Sequence, residues 1–259
     1  MYSIQQINQL AIAAGDKIME IYEREFRIES KKDNSPLTEA DLASHHCIAV
    51  GLRVLTPYIP VLSEESSADE LTDRISWKKY WLIDPLDGTK EFIKKNGEFT
   101  VNIALIENGV AVLGGVYAPA LGVLYYGDQD GAYKVENNFV TKITVKAVPE
   151  NEEAWEVVGS RSHQSTGLLD FVKNIKNHNI VSMGSSLKIC LVAEGKADIY
   201  PRLGLTSEWD TAAAHAVVTA AGGLLLQHPE LTPLIYNANA DTLLNPSFIV
   251  CAKISDTWS

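Results

Sequence analysis

Between Trp81 and Phe92 the chain reads WLIDPLDGTKEF, an apolar run that ends in two carboxylates three residues apart. No other stretch limits the fold as much. Trp81, Leu82 and Ile83 favour burial, whereas Asp84 and Asp87 cannot be buried as ions without a compensating charge. Pro85 removes a backbone donor and is expected to end the strand at Asp84. Gly88 admits backbone conformations barred to other residues. The Gly88 and Thr89 amides open the next turn, a natural seat for a phosphate oxygen. The chain therefore turns here, and both carboxylates can face one point together with the Leu86 carbonyl.

Acids recur where other apolar elements end: Glu64-Glu65 follows Val61-Leu62-Ser63, and Asp210 opens an alanine-rich helix. Each has an ordinary reading when taken alone. A D-x-x-D is most often a loop with local side-chain bonds, Asp210 suits a helix N-terminus, and Glu64-Glu65 suits solvated surface. Taken together, they repel one another unless divalent cations sit among them. Hard oxygen ligands without histidine or thiol favour Mg²⁺ over zinc. Two such ions can bind a phosphate, activate a water and stabilise a leaving oxygen. The charge balance agrees, since 22 Lys+Arg against 33 Asp+Glu leave a net charge of −11. Such a chain has no broad basic surface for a nucleic-acid polymer. An anionic substrate must be held by something other than net charge.

The 259 residues, 46% hydrophobic and 21% charged, suit one large domain or two lobes. No run approaches the length of a transmembrane helix. The N-terminal stretch is amphipathic and acidic, so a secretory signal is not expected. Cys47, Cys190 and Cys251 are far apart and odd in number, which reads as reduced thiols in the cytoplasm. His45-His46 without HExxH indicates no histidine zinc site.

Apolar spacing predicts helices over 4–22 and from Pro36 to about Leu55, with Pro36 and Thr38 as start signals. Strands follow from Tyr80, with Asn108-Gly109 as a hairpin turn. Beyond about Thr144 strands and helices alternate, and Gly222-Gly223 stops the helix that begins at Asp210. The expected fold class is layered α/β: a lobe over 1–140 with an antiparallel sheet and the acidic motifs, then a lobe over 141–259 with a mixed sheet.

WLIDPLDGTKEF and EWDTAAAHAVVTAAGG resemble the two signatures of the inositol monophosphatase superfamily of Mg²⁺-dependent, lithium-inhibited phosphatases. DNSPLTEAD, PVLSEES, NGEFTVNIALI, SRSH and GSSLKICLVAEGKADIYPR extend the likeness from about residue 3 to residue 251. Lys90-Glu91 sides with the branch acting on 3′(2′),5′-bisphosphate nucleotides. The resemblance implies an αβαβα sandwich and release of the 3′-phosphate of adenosine 3′,5′-bisphosphate to give AMP, in sulfur assimilation; the 5′-phosphosulfate relative presents the same ester. It implies roughly two or three Mg²⁺ ions per active site, held by Glu64, Asp84, the Leu86 carbonyl, Asp87 and Asp210. Asp41 and Thr89 match the pair that positions and deprotonates the attacking water, with Glu64 beside them and Glu65 further out. Gly88, Ser185, Ser186, Lys188, His163 and Arg202 match substrate contacts, alongside Glu64, Leu86, Asp87, Thr89 and Asp210.

Leu205 and Ala214 depart from the branch pattern, which usually has proline and glycine there, so the loop before Asp210 is open to a different shape. Plainer readings stand beside these: Lys188 as a solvated helix residue, His163 as a loop histidine, Arg202 as a surface cation and Trp209 as packing. The implied partner is a small nucleotide, and the sequence sets no oligomeric state. The expected location is the cytoplasm, at most peripheral on the cytoplasmic face of the inner membrane. An inositol or other sugar phosphatase is the alternative enzyme, and a non-catalytic nucleotide or metal sensor is the alternative of another class.

Overall fold

Ser3 accepts the Gln6 amide while the Gln6 side chain accepts the Ser3 amide, a capping box that starts α1 (Ile4–Tyr22). Ile4, Ile7, Ala11, Ala14, Ile18 and Ile21 form its buried stripe. Thr38 caps α2 (Glu39–Leu55), with Asp41 closing the box. Pro36 lies outside that helix: with Leu37 and Thr38 it forms β2 (Pro36–Thr38), which pairs antiparallel with β1 (Ile28–Ser30). The computed structural model describes residues 2–30, 36–67, 69–150, 153–160 and 166–258.

α1 and α2 cover one face of a seven-stranded sheet made of β3 (Val61–Ser63), β4 (Lys79–Asp87), β5 (Thr100–Glu107), β6 (Val110–Ala118), β7 (Val123–Asp128), β8 (Gly131–Glu136) and β9 (Phe139–Ile143), in that order. Every pairing is antiparallel except the edge strand β3, which runs parallel to β4. Asn108 and Gly109, with φ of 51° and 80°, make the expected hairpin turn between β5 and β6. β9 has no counterpart in the sequence reading, and the sheet runs on to Ile143.

A second, five-stranded sheet holds β10 (Trp155–Ser160), β11 (His178–Met183), β12 (Ile199–Arg202), β13 (Leu224–Gln227) and β14 (Phe248–Cys251) in the order β11-β10-β12-β14-β13. β10 pairs in parallel with β11 and β12 and the remaining pairs are antiparallel, so this sheet is mixed. α5 (Leu187–Ala193) and α6 (Glu208–Ala220) lie between the two sheets, and α4 (Thr166–Val172) covers the outer face of the second. The layers are thus α1 and α2, sheet, α5 and α6, sheet, α4. β4 shows the alternation that builds them: Trp81 and Ile83 pack under α1 and α2, whereas Tyr80 and Leu82 face α6.

α6 sits unusually close to its sheet. A Cβ on Gly114 would lie 2.1 Å from the Ala213 carbonyl oxygen, so only glycine fits beneath the alanine face of the helix. That approach sets the height of the helix end carrying Asp210. Gly222, at φ 90°, follows the C-cap, as the Gly-Gly stop implies. Among the described residues no helix is long and apolar enough to cross a membrane.

Candidate active site

The expected strand end at Asp84 needs correction, because β4 runs on through Pro85 to Asp87. Asp84 pairs with Asn102 and Asp87 with Thr100, so Pro85 and Leu86 together oppose Val101 alone. This is a β-bulge, tolerant of proline because its ladder bond is already lost. Residues three apart on a regular strand point to opposite faces. The extra residue cancels the half-period, so Asp84 and Asp87 share the face of Thr100 and Asn102. The Leu86 amide donates to Asp84 Oδ1 at 3.0 Å.

Asp210 arrives from the first turn of α6, where its Oδ2 accepts the Ser207 amide at 2.8 Å. One ligand oxygen each from Asp84, Asp87 and Asp210 lies within 4.8 Å of the others. Asp84 is fully buried. Burial, then the charge of Glu64, then those of Asp87 and Asp210, push its pKa well above the usual carboxylate range. Asp210 is pushed up to about 8 by burial and by Asp87. Asp87 is raised by burial, with Lys188 and the Ser186 amide opposing. Glu64 lies outside the convergent trio but acts on Asp84. Its amide donates to the Ile83 carbonyl at 3.2 Å, which carries the β3–β4 pairing one residue further. The Glu65 amide turns back to Ser63 Oγ at 3.2 Å.

Asp41 stands at the edge of this cluster, fully buried. One carboxylate oxygen accepts the Thr38 amide at 2.7 Å and the Thr38 hydroxyl at 2.6 Å, while the other accepts the Thr89 hydroxyl at 3.3 Å. Burial raises its pKa to about 6, helped by Glu65 and Glu64 and opposed by Thr38. Thr89 begins α3 (Thr89–Ile93) directly after Gly88, whose φ of 92° is the left-handed conformation expected of that glycine. The Leu86 carbonyl is 3.5 Å from the Thr89 hydroxyl.

The GSSLK segment closes the other wall. The Ser186 amide donates to Asp87 Oδ2 at 2.6 Å, and Ser186 Oγ lies 2.9 Å from both Thr100 Oγ1 and Asn102 Oδ1. Ser185 takes a positive φ of 45°, and its carbonyl accepts the Lys188 ammonium at 2.5 Å. Burial lowers the Lys188 pKa, with Asp87 opposing. The ammonium lies 5.8 Å from the Tyr200 ring centroid, a favourable cation–π distance. Lys188 is therefore no solvated helix residue. Arg202 donates to the Leu205 carbonyl at 2.9 Å, tying down the loop where the family proline is missing. Ala214 is buried in α6 without disturbing Asp210, and Trp209 packs against the central core. Asp87, Gly88, Lys90, Lys188, Arg202 and Asp210 line one cleft. His163 lies outside the described residues.

Sequence reasoning missed Thr100 and Asn102, both fully buried and bonded to Ser186 of the GSSLK segment. The signal was present: two polar residues at i and i+2 in an otherwise apolar strand mark one face that meets something polar.

A layered α/β fold with carboxylates converging at a strand bulge, three of them without a lysine or arginine ion pair among the described residues, defines a scaffold for divalent-cation chemistry on phosphate esters. The chain belongs to the inositol monophosphatase family, which it matches over residues 2–253. It is 49% identical over 250 residues to the 3′(2′),5′-bisphosphate nucleotidase CysQ of Salmonella typhimurium, covering 95% of this chain and 98% of the relative. The CysQ of Escherichia coli K12 is 48% identical over 249 residues, with the same coverage. The crystal structure of CysQ from Bacteroides thetaiotaomicron, a bacterial member of the family, superposes with a TM-score of 0.82 at 41% identity, covering 97% of each chain. Family enzymes are metal-dependent, and the cluster fits that chemistry: hard oxygen donors, pKa values raised by burial and mutual repulsion, and no lysine or arginine in an ion pair with them among the described residues.

Proposed function

We propose that this chain is a Mg²⁺-dependent 3′(2′),5′-bisphosphate nucleotidase that converts adenosine 3′,5′-bisphosphate to AMP and phosphate. One observation carries the reading. Asp87 and Asp210 of the acidic trio line one cleft with two cations suited to a second phosphate, Lys188 and Arg202, and the Ser186–Asp87 bond joins the two walls. A substrate with two phosphates, one placed over the carboxylates and one by the basic pair, matches that polarity. The names of the full-length relatives agree.

Asp84, Asp87, Asp210, Glu64 and the Leu86 carbonyl would hold the metal, read as roughly two or three Mg²⁺ ions. When bound, these cations supply the positive charge that lets a phosphate ester accept a nucleophile and release its ribose oxygen. The protein handles the proton. Thr89 donates its own hydrogen to Asp41, so its lone pairs are free to accept one from a water in the cleft. As Thr89 takes that proton it passes its own to Asp41, whose pKa of about 6 makes it an effective acceptor near neutrality. Lys188, Arg202, Ser185 and Ser186, with His163, orient the nucleotide, and Gly88 leaves room for it.

Residues 1–140 contribute most of the metal ligands; 141–259 contribute Asp210 and the nucleotide-binding segment. The 5′-phosphosulfate relative fits the same geometry, placing the enzyme in sulfur assimilation. Three free cysteines suit the cytoplasm. The test is phosphate release, with Mg²⁺ or with EDTA, from adenosine 3′,5′-bisphosphate, its 5′-phosphosulfate relative, inositol 1-phosphate and fructose 1,6-bisphosphate. Preference for the first two, abolished by EDTA, is expected. Inositol 1-phosphate turned over as fast as the nucleotides would make this a sugar phosphatase.

A further inference from the structure

α2 presents three residues of one helical face, Asp41, Ser44 and His45, to the acidic turns. Asp41 is accounted for by Thr89. Ser44 is fully buried. A buried serine within a helix commonly bonds back to the carbonyl one turn earlier. Ser44 instead donates across to the Pro85 carbonyl at 2.7 Å. That carbonyl sits inside the bulge, where the ladder offers it no partner. The same peptide unit carries the Leu86 amide, which donates to Asp84 Oδ1 at 3.0 Å. One rigid plane is thus held at its oxygen by Ser44 and grips Asp84 through its nitrogen.

His45 acts on the other turn. Its Nδ1 lies 2.9 Å from Ser63 Oγ, which also accepts the Glu65 amide at 3.2 Å. With that acceptor role filled by an amide, the serine hydrogen is free to point to the imidazole. The bend leading through Glu64 is thereby fastened to α2.

We propose that Ser44 and His45 are positioning residues for the metal site: α2 is a template that sets the two acidic turns in register before any ion arrives. The proposal rests on the metal-dependent reading above and adds that affinity for the ion is decided partly by residues that never touch it. Partners of this kind typically change metal affinity by about 10–100-fold.

The test is calorimetric titration of Mg²⁺ into the metal-free full-length protein, which needs no turnover. A wild type that cleaved none of the nucleotides would sink the functional reading yet leave this comparison decisive. Ser44→Ala is expected to weaken Mg²⁺ binding by about tenfold or more, and Ser44→Thr, which keeps the hydroxyl, to restore most of it. At saturating Mg²⁺ the KM for nucleotide should be unchanged, because the substrate wall is untouched. Should Ser44→Ala fail to fold, His45→Ala carries the same expectation, with His45→Asn as its rescue by a surviving acceptor. Folded Ser44→Ala and His45→Ala proteins that both bind Mg²⁺ within twofold of wild type would overturn the proposal.

Discussion

Two acidic sites are taken out of water in this molecule, and they are finished differently. Glu194, at the end of α5, accepts the Tyr125 hydroxyl at 2.9 Å and pairs with Lys134 at 3.2 Å and Lys196 at 3.3 Å. Its charge is met by the protein's own cations. Asp84, Asp87 and Asp210 accept backbone amides from Leu86, Ser186 and Ser207, and the buried Lys188 offsets only part of the charge on Asp87 and Asp210. Among the described residues none of them forms an ion pair. Amide dipoles orient a carboxylate but do not cancel three charges within 4.8 Å of one another. Burial alone therefore does not separate the two sites; the missing ion pair does.

The sharpest way to break this comparison is to remove one charge from each site. Asp87→Asn should reduce turnover by roughly three orders of magnitude or more, because cation stabilisation typically contributes several kcal/mol to the barrier. The same variant without metal should melt at a higher temperature than wild type, since repulsion is relieved. Activity within tenfold of wild type would make Asp87 structural. Glu194→Ala should behave in the opposite sense. It leaves Lys134 with its pair to the half-exposed Glu136 and takes the acceptor from the Tyr125 hydroxyl, which should cost about 2 kcal/mol, a fall in Tm of roughly 4–8 °C for a domain of this size. Turnover per folded molecule should change little. If it fell as far as in Asp87→Asn, the two sites would not be different in kind.

Much of this was legible in the sequence, and the failures have physical reasons. The stripe of Ile4, Ile7, Ala11 and Ala14 announces α1 because helical period and burial coincide. The Asn108-Gly109 turn is readable because few residues tolerate two successive positive φ angles. The acids stood out because nothing adjacent could neutralise them. The bulge was not legible: proline is a strand breaker unless a partner strand bridges across it, and that partner, β5, lies more than ten residues on. β9 was missed for a similar reason. Phe139 and Val140 are exposed, so no buried face gives the strand its alternation. Thr100 and Asn102 depend on Ser186, over 80 residues away, and long-range polar pairing leaves little trace in local pattern.

The pH dependence of stability sharpens the comparison further. In the metal-free protein the Asp210 pKa of about 8 lies far above its ordinary 3.8. The folded state therefore holds that proton more tightly than the unfolded chain, and stability rises as pH falls through about 8. Glu208, raised to about 7 by burial, adds in the same direction. His215 works the other way. Burial lowers its pKa to about 4, so the unfolded chain takes up its proton first and stability is lost as pH falls from 6.5 toward 4. Between about pH 9 and 7 the carboxylates dominate, and Tm in EDTA should climb as the pH is lowered. Saturating Mg²⁺ should flatten or reverse that slope, because protons and the ion compete for the same oxygens. A slope indifferent to Mg²⁺ would mean the ion does not bind at Asp210.

The smallest effect tests the satisfied site at its rim. Lys196 pairs with Glu194 through a side chain 60% exposed, whereas Lys134 is 12% exposed. Water screens the first pair and holds both partners loosely, so Lys196→Ala should cost less than about 1 kcal/mol. Lys134→Ala removes the inner cation and should cost clearly more, because Glu194 then keeps only the Tyr125 hydroxyl and the solvent-screened Lys196 among these partners. Thermal melts of the two variants in the same buffer decide it. Equal losses would mean that Glu194 is held by hydration and the Tyr125 bond, and that its contrast with the aspartates rests on something other than counter-charge.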